Sequence, residues 1–385
     1  MLTLSGRVVQ MSQAVAPARR QLFLLATNPC LPAVLRSNRA FLVTEGVIPA
    51  GFSHYFSFDS IPDNLPDGAV CTVIGQDFNY LAENDIVAVG ADGRIRSLYR
   101  ANSPHNAILI TERCNNYCLM CSQPPKDVSD EWLIDEAMEL IRLVPRHTAT
   151  SMCITGGEPT ICGDSFIKLV GDFKRYLPHT SLHILSNGRS FADREFARKY
   201  SAVSHPDVMV GIPVYSSDPT RHDYVVQAKG AFDETIQGIL NLKEFGQRVE
   251  VRVVVHKQTC EGLSALAEFI TRNLLFVDQV VLMGLEMTGF TRANLDSLWI
   301  DPVEYKDILS DAVQVLSSYN IPVSVYNHPL CLVNPDVEKA YVRSISDWKN
   351  EYAPECMGCA RKHECGGFFS SGIQHGYSQS LKPFS

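Results

Sequence analysis

The chain of 385 residues has no apolar run long enough to span a bilayer, no low-complexity tract and no internal repeat. That excludes an integral helical membrane protein, a disordered chain and a solenoid. Positive charge is scarce too: 34 Lys and Arg face 42 Asp and Glu, a formal net charge of -8. A general nucleic-acid or anionic-membrane binder, which needs an excess of cations against phosphate, is excluded with it. The run Leu22-Phe23-Leu24-Leu25-Ala26 behind Arg19 and Arg20 is too short for a secretory core and is broken by Asn28-Pro29, so a strand is expected there and the cytosol as location. What is present is ordinary globular material, 45% hydrophobic and 20% charged, enough for about two to three domains.

Twelve cysteines in a reducing compartment do not form a disulfide framework. Cys30, Cys71, Cys153, Cys162 and Cys260 stand singly and are expected to act as small buried hydrophobes. The other seven fall into two sets, Cys114, Cys118 and Cys121, then Cys331, Cys356, Cys359 and Cys365.

Between the sets, β-branched apolar runs alternate with amphipathic helical stretches, as in βα units of a parallel sheet. Six strands are expected, near Ala107–Thr111, Ser151–Thr155, Ser181–Leu185, Val208–Val214, Val249–Val255 and Val280–Gly284. Leu133, Ala137, Leu140, Ile141 and Val144 recur at helical spacing within Ser129–Val144, where Asp130 and Glu131 suit the positive N-terminal end and Pro145 stops the helix. Phe232, Ile236, Ile239 and Leu240 repeat that pattern before Gly246. Residues 1–103 show short strand-like runs and turns instead, such as Ile86–Val89 followed by Ala91-Asp92-Gly93-Arg94. Past residue 300 come a helix near Val303–Ser317, a strand at Val323–Tyr326, and loops that carry the second cysteine set. The expected division is therefore 1–103, 104–300 and 301–385.

Cys114-x3-Cys118-x2-Cys121 follows directly on the first strand, at the end where parallel βα folds place their sites. Three thiolates on one loop can hold three corners of an iron-sulfur cube and leave one iron open. A structural zinc, which favours four closed ligands, and cysteines that merely pack are the alternatives. With its place and the six βα units, the trio resembles the radical S-adenosylmethionine (SAM) superfamily. The resemblance implies an α/β fold, a partial (βα)6 barrel, around a catalytic [4Fe-4S] cluster whose open iron chelates SAM. One electron then cleaves SAM to methionine and a 5′-deoxyadenosyl radical that abstracts hydrogen from substrate. Met120 stands where the family usually has an aromatic residue before the third cysteine, and it could cover the adenine side.

Thr155-Gly156-Gly157-Glu158-Pro159 resembles the family's GGEP element, in which glycines admit close backbone approach and the carboxylate can accept from the methionyl ammonium. By the same resemblance Ser186 and Asn187 after the third strand, Ser216 after the fourth, Arg252 in the fifth and Glu286 after the sixth are candidate SAM contacts. Asn and Ser are also common turn residues, and Arg252 could equally face solvent.

Cys356-x2-Cys359-x5-Cys365, with Cys331 placed 25 positions before Cys356, is a closed set of four thiolates for a second [4Fe-4S] cluster or a zinc. It resembles the SPASM or twitch extensions of peptide-modifying radical SAM enzymes. The full SPASM pattern has further cysteines, so one auxiliary cluster is expected. His363 is either a substitute ligand or a solvated loop residue.

Over nearly the whole chain, Ile110–Lys126, His222–Lys243, Asn273–Pro302, Tyr326–Cys331, Ile345–Cys356 and the GGFFSS segment Gly366–Ser371 look like the radical SAM maturase, C component, of His-Xaa-Ser peptide systems. That resemblance implies a ribosomally made peptide with His-Xaa-Ser repeats as substrate, a second radical SAM protein as companion, possible heterodimerisation, and an external electron donor. A radical SAM enzyme acting on a small molecule and a non-catalytic iron-sulfur partner subunit are the rival readings.

Overall fold

The computed structural model describes residues 3–12, 20–44, 46–343 and 350–385; residues 344–349, within the quoted stretch Ile345–Cys356, lie outside them. Two compact units are distinguished: Met1–Ile108 with Trp132–Cys153 and Leu169–Ser181, and Leu109–Glu131 with Ile154–Lys168 and Leu182–Ser385.

The first unit contains an eight-stranded sheet built from β1 (Ser5–Arg7), β2 (Gln10–Met11), β3 (Gln21–Ala26), β4 (Ala40–Leu42), β5 (His54–Phe58), β6 (Cys71–Ile74), β7 (Ile86–Val89) and β8 (Arg94–Tyr99). Its order is β1-β8-β7-β3-β4-β5-β6-β2. β1 and β2 are halves of one short N-terminal segment: the Val8 amide donates to Gly93 and the Val9 amide to Val73, so the sheet's two ends are bridged. Side chains alternate between faces as the pleat requires. Leu25, Leu42, Phe56, Ile74, Val87 and Ile95 fill one core, while Ala26, Phe41, Tyr55 and Cys71 pack in another. Cys30 departs from its expected burial: it is exposed, in a turn where its amide donates to Asn28 Oδ1.

The second sheet contains β9 (Asn106–Leu109), β10 (Ser151–Thr155), β11 (Ser181–Leu185), β12 (Val208–Pro213), β13 (Arg248–Val255), β14 (Gln279–Gly284) and β15 (Val323–Tyr326), in the order β15-β14-β13-β12-β11-β10-β9. The pairs from β11 through β15 are parallel. β15 thus joins the sheet as a seventh strand rather than standing with the C-terminal loops. The helix Pro302–Ser318, started by an Asp301–Glu304 capping box, is the crossover that returns the chain parallel to β14.

β13 shows how the sheet is built. Val249, Val251, Val253 and Val255 are buried on one face, and the helix Ala231–Glu244 packs on this strand. Glu250, Arg252 and Val254 alternate onto the other face, the inside of a partial barrel. Among the described residues no helix is long and apolar enough to cross a membrane.

Candidate active site

The cysteine trio lies on the loop that leaves β9, and the chain fastens that loop from several sides. Asp130, buried ahead of the helix Glu131–Leu143, accepts from Thr111 Oγ1 at 2.9 Å, the Glu112 amide at 2.5 Å and Arg113 Nε at 2.9 Å. The Tyr117 and Leu119 amides donate to Val226 and Val225. The Phe290 amide donates to the Cys121 carbonyl, Thr291 Oγ1 to Met120 and Asn294 Nδ2 to Leu119. Met120 is buried with Tyr215, Val225, Val226, Ala231 and Leu298, which makes it part of the packing beneath the loop.

The Gly156–Gly157 pair serves close approach, and its partner is the cysteine loop itself. The Gly157 amide donates to Thr111 and the Glu158 amide to Arg113. A Cβ on Gly157 would collide with the Arg113 carbonyl, and one on Gly156 would sit 2.7 Å from the Thr111 carbonyl. Only glycine permits this contact.

Glu158 is 0% exposed. Its Oε1 accepts from the Thr160 amide at 2.9 Å, Thr160 Oγ1 at 2.6 Å and Ser186 Oγ at 2.8 Å, while Oε2 accepts from the Asn187 amide at 2.5 Å. Burial pushes the carboxyl above its ordinary range, and these donors oppose the shift. The carboxylate thereby joins the loops after β10 and β11. Pro159 is buried beside it as the first residue of a short 3-10 turn.

Asn187 extends the network, its Nδ2 donating to Asn115 Oδ1 at 2.6 Å. Arg189, missed by the sequence reading, donates at 2.7 Å to both the Asn115 carbonyl and Asn116 Oδ1, between the first two cysteines, and its Nε pairs with Glu234. An arginine two positions after Asn187 carries no sequence signal that would separate it from a surface cation. Asp130 had a signal, but one that read as helix-end charge.

The remaining candidates are more dispersed. Ser216 is buried and accepts from the Asp218 amide. Arg252 faces the barrel interior, 16% exposed, paired with Glu250 and donating to Met283 Sδ at 3.1 Å. Of the two orientations open for it in the sequence, the interior one is adopted. His183 lies 3.4 Å from the same carboxylate. Glu286, half-buried, follows β14 by two positions.

The trio's electrostatics suit a cationic group. Burial pushes Cys114 up to about 11, with Glu158 and Cys121 adding to the shift, and Cys118 higher still, with Cys121 and Cys114 adding. Cys121 is raised by burial. Three half-buried thiols that repel one another as thiolates would be stabilised by iron, which supplies the missing positive charge. Among the described residues no three His, Cys, Asp or Glu side chains converge on the position of a single metal ion. Three thiolates on one loop can each take one iron of a cube. The donor set fits the cluster.

The second set is assembled from distant segments: Cys331 in the turn Leu330–Leu332, Cys356 in the turn Pro354–Gly358, then Cys359 and Cys365. All four line one enclosed pocket with Phe368, Leu381 and Phe384. Burial raises Cys331 and Cys356, and the neighbouring thiolates raise both further. Cys365 Sγ accepts from the Leu330 and Gly367 amides, both at 3.3 Å, as cluster sulfurs do. His363 is 77% exposed and lies 3.4 Å from Glu364, the solvated reading of that residue.

Residues 108–270 match the family model of the radical SAM superfamily. The matched stretch runs from within β9 through β13 of the barrel. Among curated proteins the chain is similar to Fe-coproporphyrin III synthase of Methanosarcina barkeri, 27% identical over 42% of this chain and 39% of the relative. It is also similar to GTP 3′,8-cyclase of Petrotoga mobilis, 24% over 57% and 66%, and to the sporulation killing factor maturation protein SkfB of Bacillus subtilis, 24% over 49% and 45%. The chain therefore spans well under two thirds of the synthase's length. Among solved structures, Streptococcus suis SuiB bound to S-adenosylmethionine aligns with a TM-score of 0.47 at 15% identity, over 60% of this chain and 51% of that one.

Proposed function

We propose that the protein is a radical SAM peptide maturase that modifies a ribosomally made peptide with His-Xaa-Ser repeats. The observation that carries the catalytic half is the thiol trio, half-buried at the carboxyl end of β9 on a loop fixed by the Gly156–Glu158 backbone. Cys114, Cys118 and Cys121 would hold the catalytic [4Fe-4S] cluster. When bound and reduced, that cluster supplies the electron that splits SAM to methionine and a radical able to take hydrogen from the peptide.

The chain's own residues orient and enclose. Glu158, Ser186, Asn187 and Arg189 fix the cysteine loop, and Gly156, Gly157 and Pro159 form its backbone rim. Ser216 and Glu286 stand after later strands and Arg252 projects from within β13 into the barrel, where SAM's polar groups would be met. Cys331, Cys356, Cys359 and Cys365 in the segment 301–385 would hold an auxiliary [4Fe-4S] cluster. An external donor supplies electrons in the cytosol, and a second radical SAM protein is the expected companion.

The peptide reading draws support from the similarity to the sporulation killing factor maturation protein. A second reading, chemistry on a small molecule, draws on the similarity to the GTP 3′,8-cyclases. Anaerobic reconstitution with a reductant, with and without the companion, tests both. Release of 5′-deoxyadenosine together with a mass change in the peptide is expected. Release that no peptide alters supports the small-molecule reading, and no release under any condition rejects both.

A further inference from the structure

The pocket of the four-thiol set is closed in part by residues that carry no motif. Leu381, Pro383 and Phe384 line it together with Cys331, Cys356, Cys359 and Cys365. The segment that brings them there has no helix or strand of its own, and its side chains divide: Leu381 and Phe384 are half-buried, whereas Lys382 and Pro383 are exposed. Its larger apolar groups thus turn to the sulfurs and its charge to water. Elsewhere the pocket is backed by protein. Pro329, Gly367 and Phe368 line both it and a second cavity, which Asn327 and Ser371 share at the carboxyl ends of β14 and β15.

Contacts beside Cys359 tie the segment down. The Ala360 amide donates to the Phe384 carbonyl at 2.9 Å, and the Arg361 guanidinium lies 4.9 Å over the Phe384 ring. Arg361 is itself fixed by Glu338, whose two oxygens accept at 2.9 and 3.0 Å, and by Glu364. At the other end the Lys382 amide favours the thiolate of Cys331, against the burial that raises that thiol. One short stretch therefore reaches both halves of the set, Phe384 next to Cys359 and Lys382 next to Cys331. An apolar shell of this kind controls how water and solutes reach a thiolate-held metal group.

We infer that Leu381–Phe384 is the cover of the four-thiol site, with Leu381 and Phe384 excluding water from the sulfurs and from the metal group they hold. The inference rests on the reading that these thiols hold an auxiliary cluster, and it gives the stretch a protective function.

Metal release from the full, anaerobically reconstituted chain tests it, in the Cys114→Ala background, where the four-thiol set is the remaining iron site. Bathophenanthroline disulfonate with dithionite draws off ferrous iron, and the colour of the chelate gives the rate. Phe384→Ala should speed release roughly tenfold, because a cover that buries less apolar surface opens at lower cost. Leu381→Ala should act in the same direction, and Phe384→Leu should keep release slow. Lys382→Ala, whose side chain points outward, should release iron at the parent's rate. A general loss of folding is told apart by the catalytic trio: in a Cys331→Ala chain, iron should leave at the same rate with and without Phe384→Ala. Equal rates in the parent, Phe384→Ala and Leu381→Ala overturn the inference, as does a Phe384→Ala effect of equal size on the trio's iron. The two ideas separate cleanly. A Cys114→Ala chain that takes up no iron refutes the auxiliary-cluster reading, whereas iron that is taken up and released at the parent's rate in both variants refutes the cover alone.

Discussion

The two cysteine sets are built on opposite plans. The first is three residues of one eight-residue segment, and the surrounding βα loops reach in to hold it: Asn187, Arg189 and Phe290 bond its backbone or its intervening side chains, and Asp130 and Gly157 bond Thr111 to Arg113 just ahead of it. The second gathers Cys331 from 25 positions away onto short 3-10 turns, where amides that donate to Cys365 Sγ are among the few fixed contacts of the sulfurs. A rigid barrel can support a preorganised site that must meet a cofactor, while thiols on turns depend more on what they bind for their own order. The contrast teaches that the first set is ordered by the barrel and the second by the meeting of short turns from distant segments.

The largest expected break in that contrast comes from the thiols themselves. Cys114→Ala should abolish 5′-deoxyadenosine release, whereas Cys359→Ala should retain SAM cleavage and lose peptide modification; iron content and product analysis on both variants check this. Glycines sharpen it next. Gly157→Ala drives a Cβ into the Arg113 carbonyl and should cost about 3 kcal/mol along with the catalytic iron. Gly358→Ala, between Cys356 and Cys359, meets nothing within 4 Å and should change neither the melting temperature nor iron content.

Arginines give a smaller difference. Arg189→Ala removes two charge-assisted bonds to the cysteine loop and should destabilise by about 3 kcal/mol, read by urea unfolding. Arg361→Ala, near the second set, removes surface pairs with Glu338 and Glu364 and should leave the unfolding midpoint where it was.

At low pH the contrast should vanish. His222 lies on the helix whose end bonds the first loop, and His328 bonds Tyr305 and the Tyr326 carbonyl three residues before Cys331. Burial holds each at about 4 against an ordinary 6.5. The unfolded chain takes up a proton near pH 6.5 that the folded chain refuses until about pH 4, so stability is full above 6.5 and falls as pH drops through that window. At pH 5 each histidine should cost about 2 kcal/mol. His328→Gln should lose correspondingly less than wild type between pH 7.5 and 5 in urea titrations.

The strands Ser151–Thr155 and Ser181–Leu185 were readable to the residue, because β-branched apolar runs bounded by turns leave few alternatives. β15 was readable as a strand but not as a member of the barrel sheet, since pairing depends on where the helix Pro302–Ser318 carries the chain. The bridging of the N-terminal sheet escaped notice: β1 and β2 are three and two residues long, too short for any period to register. Glu158 stands out by its motif, but nothing local reveals that four donors from two loops surround its carboxylate.

By itself the sequence determined the alternation of strands and helices, the first thiol trio with its place after a strand, and the existence of a second set. These are local or periodic features, written in spacing and in the side chains a pleat or helix turn will accept. The tertiary structure alone decided that Gly157 packs on Arg113, that Arg189 reaches the cysteine loop, and that Asn327 and Ser371 share one cavity. Each joins residues that lie far apart in the chain, and only packing of the whole sheet and its loops brings such atoms within bonding distance.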